Sequence, residues 1–155
     1  MLGHYLLWFV VALSAACSAG AETALTVHNA WIREAPPTAA ALAGYMVIEN
    51  HGVAPRKLIG AESPSFGSIE LHRSFVEKGV ARMTPQKAVS IPPAGGQVEF
   101  KPNGYHLMML EPAKPLRAGD QVKVTLKFSG DERVITTMAV RNAGGSSGHQ
   151  HQHGE

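Results

Sequence analysis

The 155-residue chain holds a single cysteine, Cys17, and it falls in a segment with the marks of an export signal. Leu6 to Leu13 is an apolar run followed by small residues ending in Ala19-Gly20-Ala21, the A-x-A form of a secretory cleavage site. Nothing in the chain approaches the roughly 20 apolar residues that a membrane-crossing helix needs. Cleavage after Ala21 predicts a periplasmic chain that starts at Glu22 and has no cysteine. Such a chain forms no disulfide and offers no thiolate to a metal or a substrate. The stretch Leu13-Ser14-Ala15-Ala16-Cys17 is a distorted lipoprotein pattern, with Ser14 where a large aliphatic residue is expected. Lipid anchoring at Cys17 is therefore the less favoured reading of this segment.

Other absences narrow the function. The formal charge is only +2 and no basic cluster stands out, which argues against a nucleic-acid partner. No Ser/His/Asp ordering and no Gly-rich phosphate loop is present. A copper enzyme acting on oxygen needs mostly imidazole ligands and an open position. One such arrangement starts from an amino-terminal histidine, where this chain would present Glu22. The expectation is a protein that is not an enzyme.

Sustained helical periodicity is missing too. Short segments rich in Val, Ile, Leu, Phe and Thr recur instead between turn signals, the pattern of an all-β chain of about nine strands. The predicted strands are Leu25–Trp31, Gly44–Glu49, Arg56–Ala61, Ser68–Phe75, Val80–Thr84, Gln97–Lys101, His106–Leu110, Gln121–Phe128 and Arg133–Val140. Asn50-His51-Gly52, Glu77-Lys78-Gly79, Pro92 to Gly96, Pro102-Asn103-Gly104, Ala118-Gly119-Asp120 and Gly130-Asp131 supply turn-compatible dihedrals between them. In Val122 to Phe128 the residues Val122, Val124, Leu126 and Phe128 face one way, with Lys123, Thr125 and Lys127 the other way. That alternation marks a half-buried strand, and nine such strands suggest a Greek-key β-sandwich or barrel. Ala35 to Ala43, with Pro36-Pro37, reads as a loop. Beyond Val140 the composition turns to Gly, Ser, His and Gln, which predicts a disordered tail. The expected organisation is a signal over 1–21, one domain over 22–141 and a tail over 142–155.

Four residues carry the candidate chemistry. His106 and Met108 lie two apart on a predicted strand, so imidazole and thioether emerge on one face. His72 and Met83 flank the Glu77-Lys78-Gly79 turn with ten residues between them, and a tight hairpin there brings them close to opposite one another. Thioether sulfur is soft and uncharged and suits Cu(I) far better than Zn, Mg or Ca. A set of two His and two Met has no anion to offset a higher charge, which favours a monovalent ion. Spacing alone does not separate this site from histidines satisfied by nearby carbonyls and methionines that fill a core. Met46, Met109 and Met138 read as core residues, while His28 and His51 are isolated and unassigned.

Longer stretches around these residues resemble a known family. Asn29-Ala30-Trp31-Ile32-Arg33, Ile48-Glu49-Asn50, Glu70-Leu71-His72, Gly79-Val80, Met83, Ile91-Pro92, Ala94-Gly95-Gly96 and Lys101 to Met108 are similar to the PCuAC family of periplasmic copper chaperones, over about Val27 to Phe128. The resemblance implies a cupredoxin-like fold and Cu(I) held by His72, Met83, His106 and Met108. It also implies delivery of that copper to the CuA centre of cytochrome c oxidase, with the CuA-bearing subunit or another copper chaperone as partner. Two departures stand out. The stretch from Met83 to His106 is one residue longer than the family pattern, with Pro92-Pro93 the expected place of the insertion, and Arg73 stands where the family often has a further Met.

The tail adds His149, His151 and His153 on a Gly/Ser tether. Clustered imidazoles suit Cu(II), Ni(II) or Zn(II) more than Cu(I), so the tail is a candidate second site for Cu(II). Three other functions compete: a blue-copper electron carrier, which needs a Cys thiolate that Cys17 cannot supply; a copper storage or scavenging protein; and a metal-free interaction module.

Overall fold

The computed structural model describes residues 24–142. Turns fall where residues tolerant of a left-handed backbone occur. Lys78 and Gly79 (φ 50° and 79°), Ala94 and Gly95, Asn103, Gly119, and Gly130 with Asp131 all have positive φ. Between them run ten strands and no helix: β1 (Leu25–Arg33), β2 (Ala41–Asn50), β3 (Arg56–Glu62), β4 (Phe66–Glu77), β5 (Val80–Pro85), β6 (Val89–Ile91), β7 (Gly96–Phe100), β8 (Tyr105–Pro112), β9 (Gln121–Phe128) and β10 (Arg133–Arg141).

The all-β expectation is met. The nine predicted strands are present, most of them longer than expected at one or both ends. Two details differ. Ala41 to Ala43 belong to β2, because they pair with β8 from Ala41 opposite Leu110 to Gly44 opposite Leu107. The short β6 was not anticipated: three residues carry too little alternation to be seen, and β6 exists because it pairs with β3 from Arg56 opposite Ile91 to Leu58 opposite Val89.

Neighbouring strands close on themselves in the order β4-β8-β7-β2-β1-β10-β9-β3, and β3 returns to β4, giving an eight-stranded barrel; β5 and β6 are additions outside that ring. The parallel pairing of β1 with β10 joins the two ends of the described chain. This is the cupredoxin-like Greek-key architecture.

Alternation fills the barrel. In β9, Val122, Val124, Leu126 and Phe128 point inward, as expected. Met46, Met109 and Met138 are likewise in the core. Gly44 lets two of them in, since a Cβ there would stand 3.0 Å from Met109 Sδ and 3.2 Å from Met138 Cε. The next residues along the same strands face outward, and that outer wall carries the site.

Candidate metal centre

Leu71 and Leu107 anchor the site from inside. Both are buried and directly paired across β4 and β8. Their burial turns the flanking residues outward, and cross-strand partners share a face. His72 lies directly opposite His106, and Glu70 opposite Met108. The two imidazoles meet edge to face with centroids 5.9 Å apart.

The β4–β5 hairpin supplies Met83. Its loop is Lys78-Gly79, both left-handed as a two-residue hairpin turn requires. This turn pairs Met83 with Ser74 and His72 with Pro85. Met83 is therefore diagonal to His72, one step further along the hairpin than the expected placement, because the two-residue loop starts at Lys78 and Glu77 is already paired with Val80. Ser74 and His72 are two apart, so Met83 still shares the face of His72, and the structure brings all four candidate residues onto one outer face. His72 is mid-strand rather than at a strand end; only His106 adjoins a turn.

Hydrogen bonds fix which imidazole nitrogens are available. His72 Nε2 donates to Glu70 Oε2 at 2.9 Å, which leaves Nδ1 with its lone pair. That Nδ1 is buried and has no hydrogen-bond partner. A buried acceptor left unsatisfied costs about 1–3 kcal/mol, so it calls for an explanation. His106 Nδ1 donates to the Gly104 carbonyl at 3.1 Å, leaving Nε2 as its free nitrogen. Each ring is thus turned by an outer partner, as metal-bound imidazoles are.

Exposure grades across the site. His106 is 7% exposed and Met83 50%. Met83 borders a groove of about 270 Å³ that Ser74, Val76 and Asn103 also line. The arrangement is one enclosed histidine wall with a half-open thioether at its edge. Among the described residues no three His, Cys, Asp or Glu side chains surround a common point, so soft sulfur is what would complete a metal site here. Arg73 belongs to the other face of β4, where its guanidinium lies 5.3 Å from the centre of the Tyr105 ring.

Sequence reasoning missed Glu70 as the partner of His72. The signal was there, since residues i and i+2 share a strand face. It also left His28 and His51 isolated, whereas the fold brings them together around Glu49. The expected signal over 1–21, with Cys17, and the candidate tail ligands His149, His151 and His153 lie outside the described residues.

The barrel is a cupredoxin-like fold shared with PCuAC domains. A family model described as "Putative lipoprotein LpqE-like" matches residues 25–140, and the chain belongs to that family. A protein of Leifsonia xyli subsp. xyli described as "Putative lipoprotein Lxx21020" is 29% identical over 121 residues, 78% of this chain and 72% of its own. Among solved structures, the copper-bound PCuAC domain from PmoF2 superposes with a TM-score of 0.65 at 24% identity, covering 77% of this chain and 93% of its own. The solution structure of apo-DR1885 from Deinococcus radiodurans gives 0.60 at 27% identity, over 91% and 97%.

Proposed function

We propose that this chain is an exported copper chaperone that binds Cu(I) through His72, Met83, His106 and Met108 and gives it up to the CuA centre of cytochrome c oxidase. The observation that carries the copper reading is the buried, unpartnered Nδ1 of His72, held towards its ligand role by the Glu70 bond and standing on the same face as two thioethers and a second imidazole. That the PmoF2 domain is copper-bound supports copper as the metal. Here the ion is cargo, and the protein's task is to hold it and then release it.

Release follows from the graded exposure. His106 and His72 form the enclosed side, while Met83 is the accessible ligand on an exposed hairpin edge. An acceptor's ligand can displace Met83 first, so that the ion is never without ligands. Neutral ligands leave the charge of Cu(I) uncompensated, which keeps the site from holding the ion too tightly. A role in copper storage would instead favour closed coordination.

The test is competition for Cu(I) against a chromophoric chelator, with Met83→Ala and Met108→Ala beside the unaltered protein. Binding that is absent, or unaltered by both substitutions, would leave the interaction-module reading in its place. X-ray absorption of the Cu(I) form should show sulfur and nitrogen scatterers together. Delivery is tested by mixing the Cu(I)-loaded chain with an apo CuA domain and following the CuA absorption; no transfer would favour storage.

Two further proposals concern the ends of the chain. The family description and the Leifsonia relative's name add weight to envelope anchoring, for which Cys17 is the lipid-attachment candidate. The tail histidines, His149, His151 and His153, collect Cu(II), which passes to the Met-containing site as Cu(I) once an external thiol reductant has supplied one electron, and unchanged Cu(II) stoichiometry after removal of Gly148 to Glu155 would sink that idea.

A further inference from the structure

The β1–β2 end of the same barrel carries a second group of ligand-type side chains, and its strand register explains the grouping. Thr26 on β1 lies opposite Glu49 on β2, and His28 opposite Val47. His28 is two residues from Thr26, and His51 follows Glu49 by two, so all four stand together on the outer side. A bulge just after His28, with Asn29 at φ 49°, interrupts the ladder and sets the end of this patch. The buried Asn50 holds the following turn, accepting from Gly52 N at 3.0 Å and donating to the Ala54 carbonyl at 2.9 Å. His51 thereby leaves the strand from a fixed point.

The polar contacts all converge on Glu49 and Thr26. His28 Nε2 is 3.4 Å from Glu49 Oε2, and His51 Nδ1 is 3.6 Å from Glu49 Oε1. Thr26 Oγ1 bonds Nε2 of His28 at 3.2 Å and Nε2 of His51 at 3.0 Å. Gln97 Nε2 donates to Glu49 Oε2 at 3.0 Å and orients the carboxylate. Ligands bound at about 2.1 Å around a tetrahedral ion are separated by about 3.4 Å, close to both imidazole–carboxylate spacings.

We infer that His28, Glu49 and His51 form a second cation site, for a divalent ion of the Cu(II) or Zn(II) class, on the outer wall of β1 and β2. Imidazole nitrogen and carboxylate oxygen are borderline-to-hard donors, and the carboxylate offsets charge that a thioether cannot. The three ligands do not yet surround one point. Thr26 Oγ1 stands between the rings, and the ligands converge when the imidazoles turn away from it. The rings are free to do so, with side chains 50% and 51% exposed. Water completes the coordination on the open side.

The test uses the full chain with His149→Ala, His151→Ala and His153→Ala, so that the tail takes no divalent ion. Zn(II) is titrated against a chromophoric chelator, and Cu(II) binding is followed by electron paramagnetic resonance. One equivalent should bind. Each of His28→Ala, His51→Ala and Glu49→Gln should weaken it about 100-fold or more, and Gln97→Ala about tenfold through the lost outer-shell bond. His72→Ala should change nothing, which separates this site from the Cu(I) face. No binding in the tail variant overturns the inference, and so does binding that responds to His72→Ala but to none of the β1–β2 substitutions. The half-exposed positions of His28 and His51 make misfolding a poor explanation for either result, and an unchanged melting temperature checks it.

Discussion

His72 and His106 face each other across β4 and β8 with two thioethers on their face, whereas His28 and His51 stand across β1 and β2 with a carboxylate between them. Both pairs lie on the outer wall of one barrel, and β2 links them. Its outward residues run from Ala43, opposite Met108, through Tyr45 to Glu49. The six-residue step from Ala43 to Glu49 is about 20 Å along the strand. The first pair is enclosed and each ring is bonded to a fixed partner; the second is half exposed and shares one hydroxyl. Imidazole is common to both, so what would select an ion is the companion donor and the degree of enclosure. Soft and neutral companions favour Cu(I), and an anionic oxygen favours a divalent ion.

One substitution should separate the two faces outright. His106→Ala should weaken Cu(I) binding about 100-fold or more, beyond what loss of an outer-shell partner costs, while Zn(II) binding at the β1–β2 face stays unchanged. Competition titrations with each ion check both halves, and a parallel loss of both would break the comparison.

A smaller effect is expected at Glu70, which bonds His72 and lies outside the proposed ligand set. Glu70→Gln should weaken Cu(I) binding about tenfold. The amide can accept from His72 Nε2, but more weakly than the carboxylate. Nitrogen-15 chemical shifts of the His72 ring should reveal a mixture of tautomers in the variant and one tautomer in the parent. Equal tautomer populations in both would mean that Glu70 does not orient the ring.

Between the faces, Tyr45 reports on the wall itself. Its ring packs against Trp31 with centroids 4.7 Å apart. Burial raises its hydroxyl pKa above the ordinary 10.0, with the nearby Arg33 charge working in the opposite direction. The folded state therefore holds this proton more tightly than the unfolded one. Stability from this group is complete below pH 10.0 and declines as pH rises from there through the folded value. Tyr45→Phe should flatten that alkaline decline in thermal melts, leaving Cu(I) and Zn(II) binding at neutral pH unaltered.

Least of all should change at Glu62, away from both faces. Its pKa is lowered, chiefly through its hydrogen bond from Lys127 and then that residue's charge, with Arg133 assisting. Its contribution is present above the ordinary carboxylate value of 4.5 and is lost as pH falls through the lower folded value. Its side chain is 52% exposed, so solvent screens it. Glu62→Gln should change acid melts only slightly and ion binding not at all.

Much of the barrel was legible in the chain. The strand Gln121–Phe128 alternates cleanly, and its four apolar residues are the buried ones. The turns with Lys78-Gly79, Asn103 and Gly130-Asp131 take the left-handed dihedrals that those residue types tolerate. His106 and Met108 were readable as a pair because two-residue spacing fixes a common face in any strand. The pairing of β6 with β3 was not legible, because three residues give no period to detect. Nor was the role of Ala41 to Ala43, whose strand character comes from β8 beside them.

Composition and local pattern were enough to establish that the protein is built of short strands, that no cysteine lies within the described residues, and that its metal-suited side chains are imidazoles and thioethers. Those properties depend on residue type and on neighbours one or two positions away. It took the folded barrel to settle that His72 meets His106 in register, that Met83 approaches diagonally, that Glu70 turns one ring and Gly104 the other, and that His28 and His51 share Glu49. Each of these depends on strand register, which is set in the barrel by burying the apolar faces of its strands together and in exposed β5 by the Lys78-Gly79 turn, and which no strand fixes in isolation.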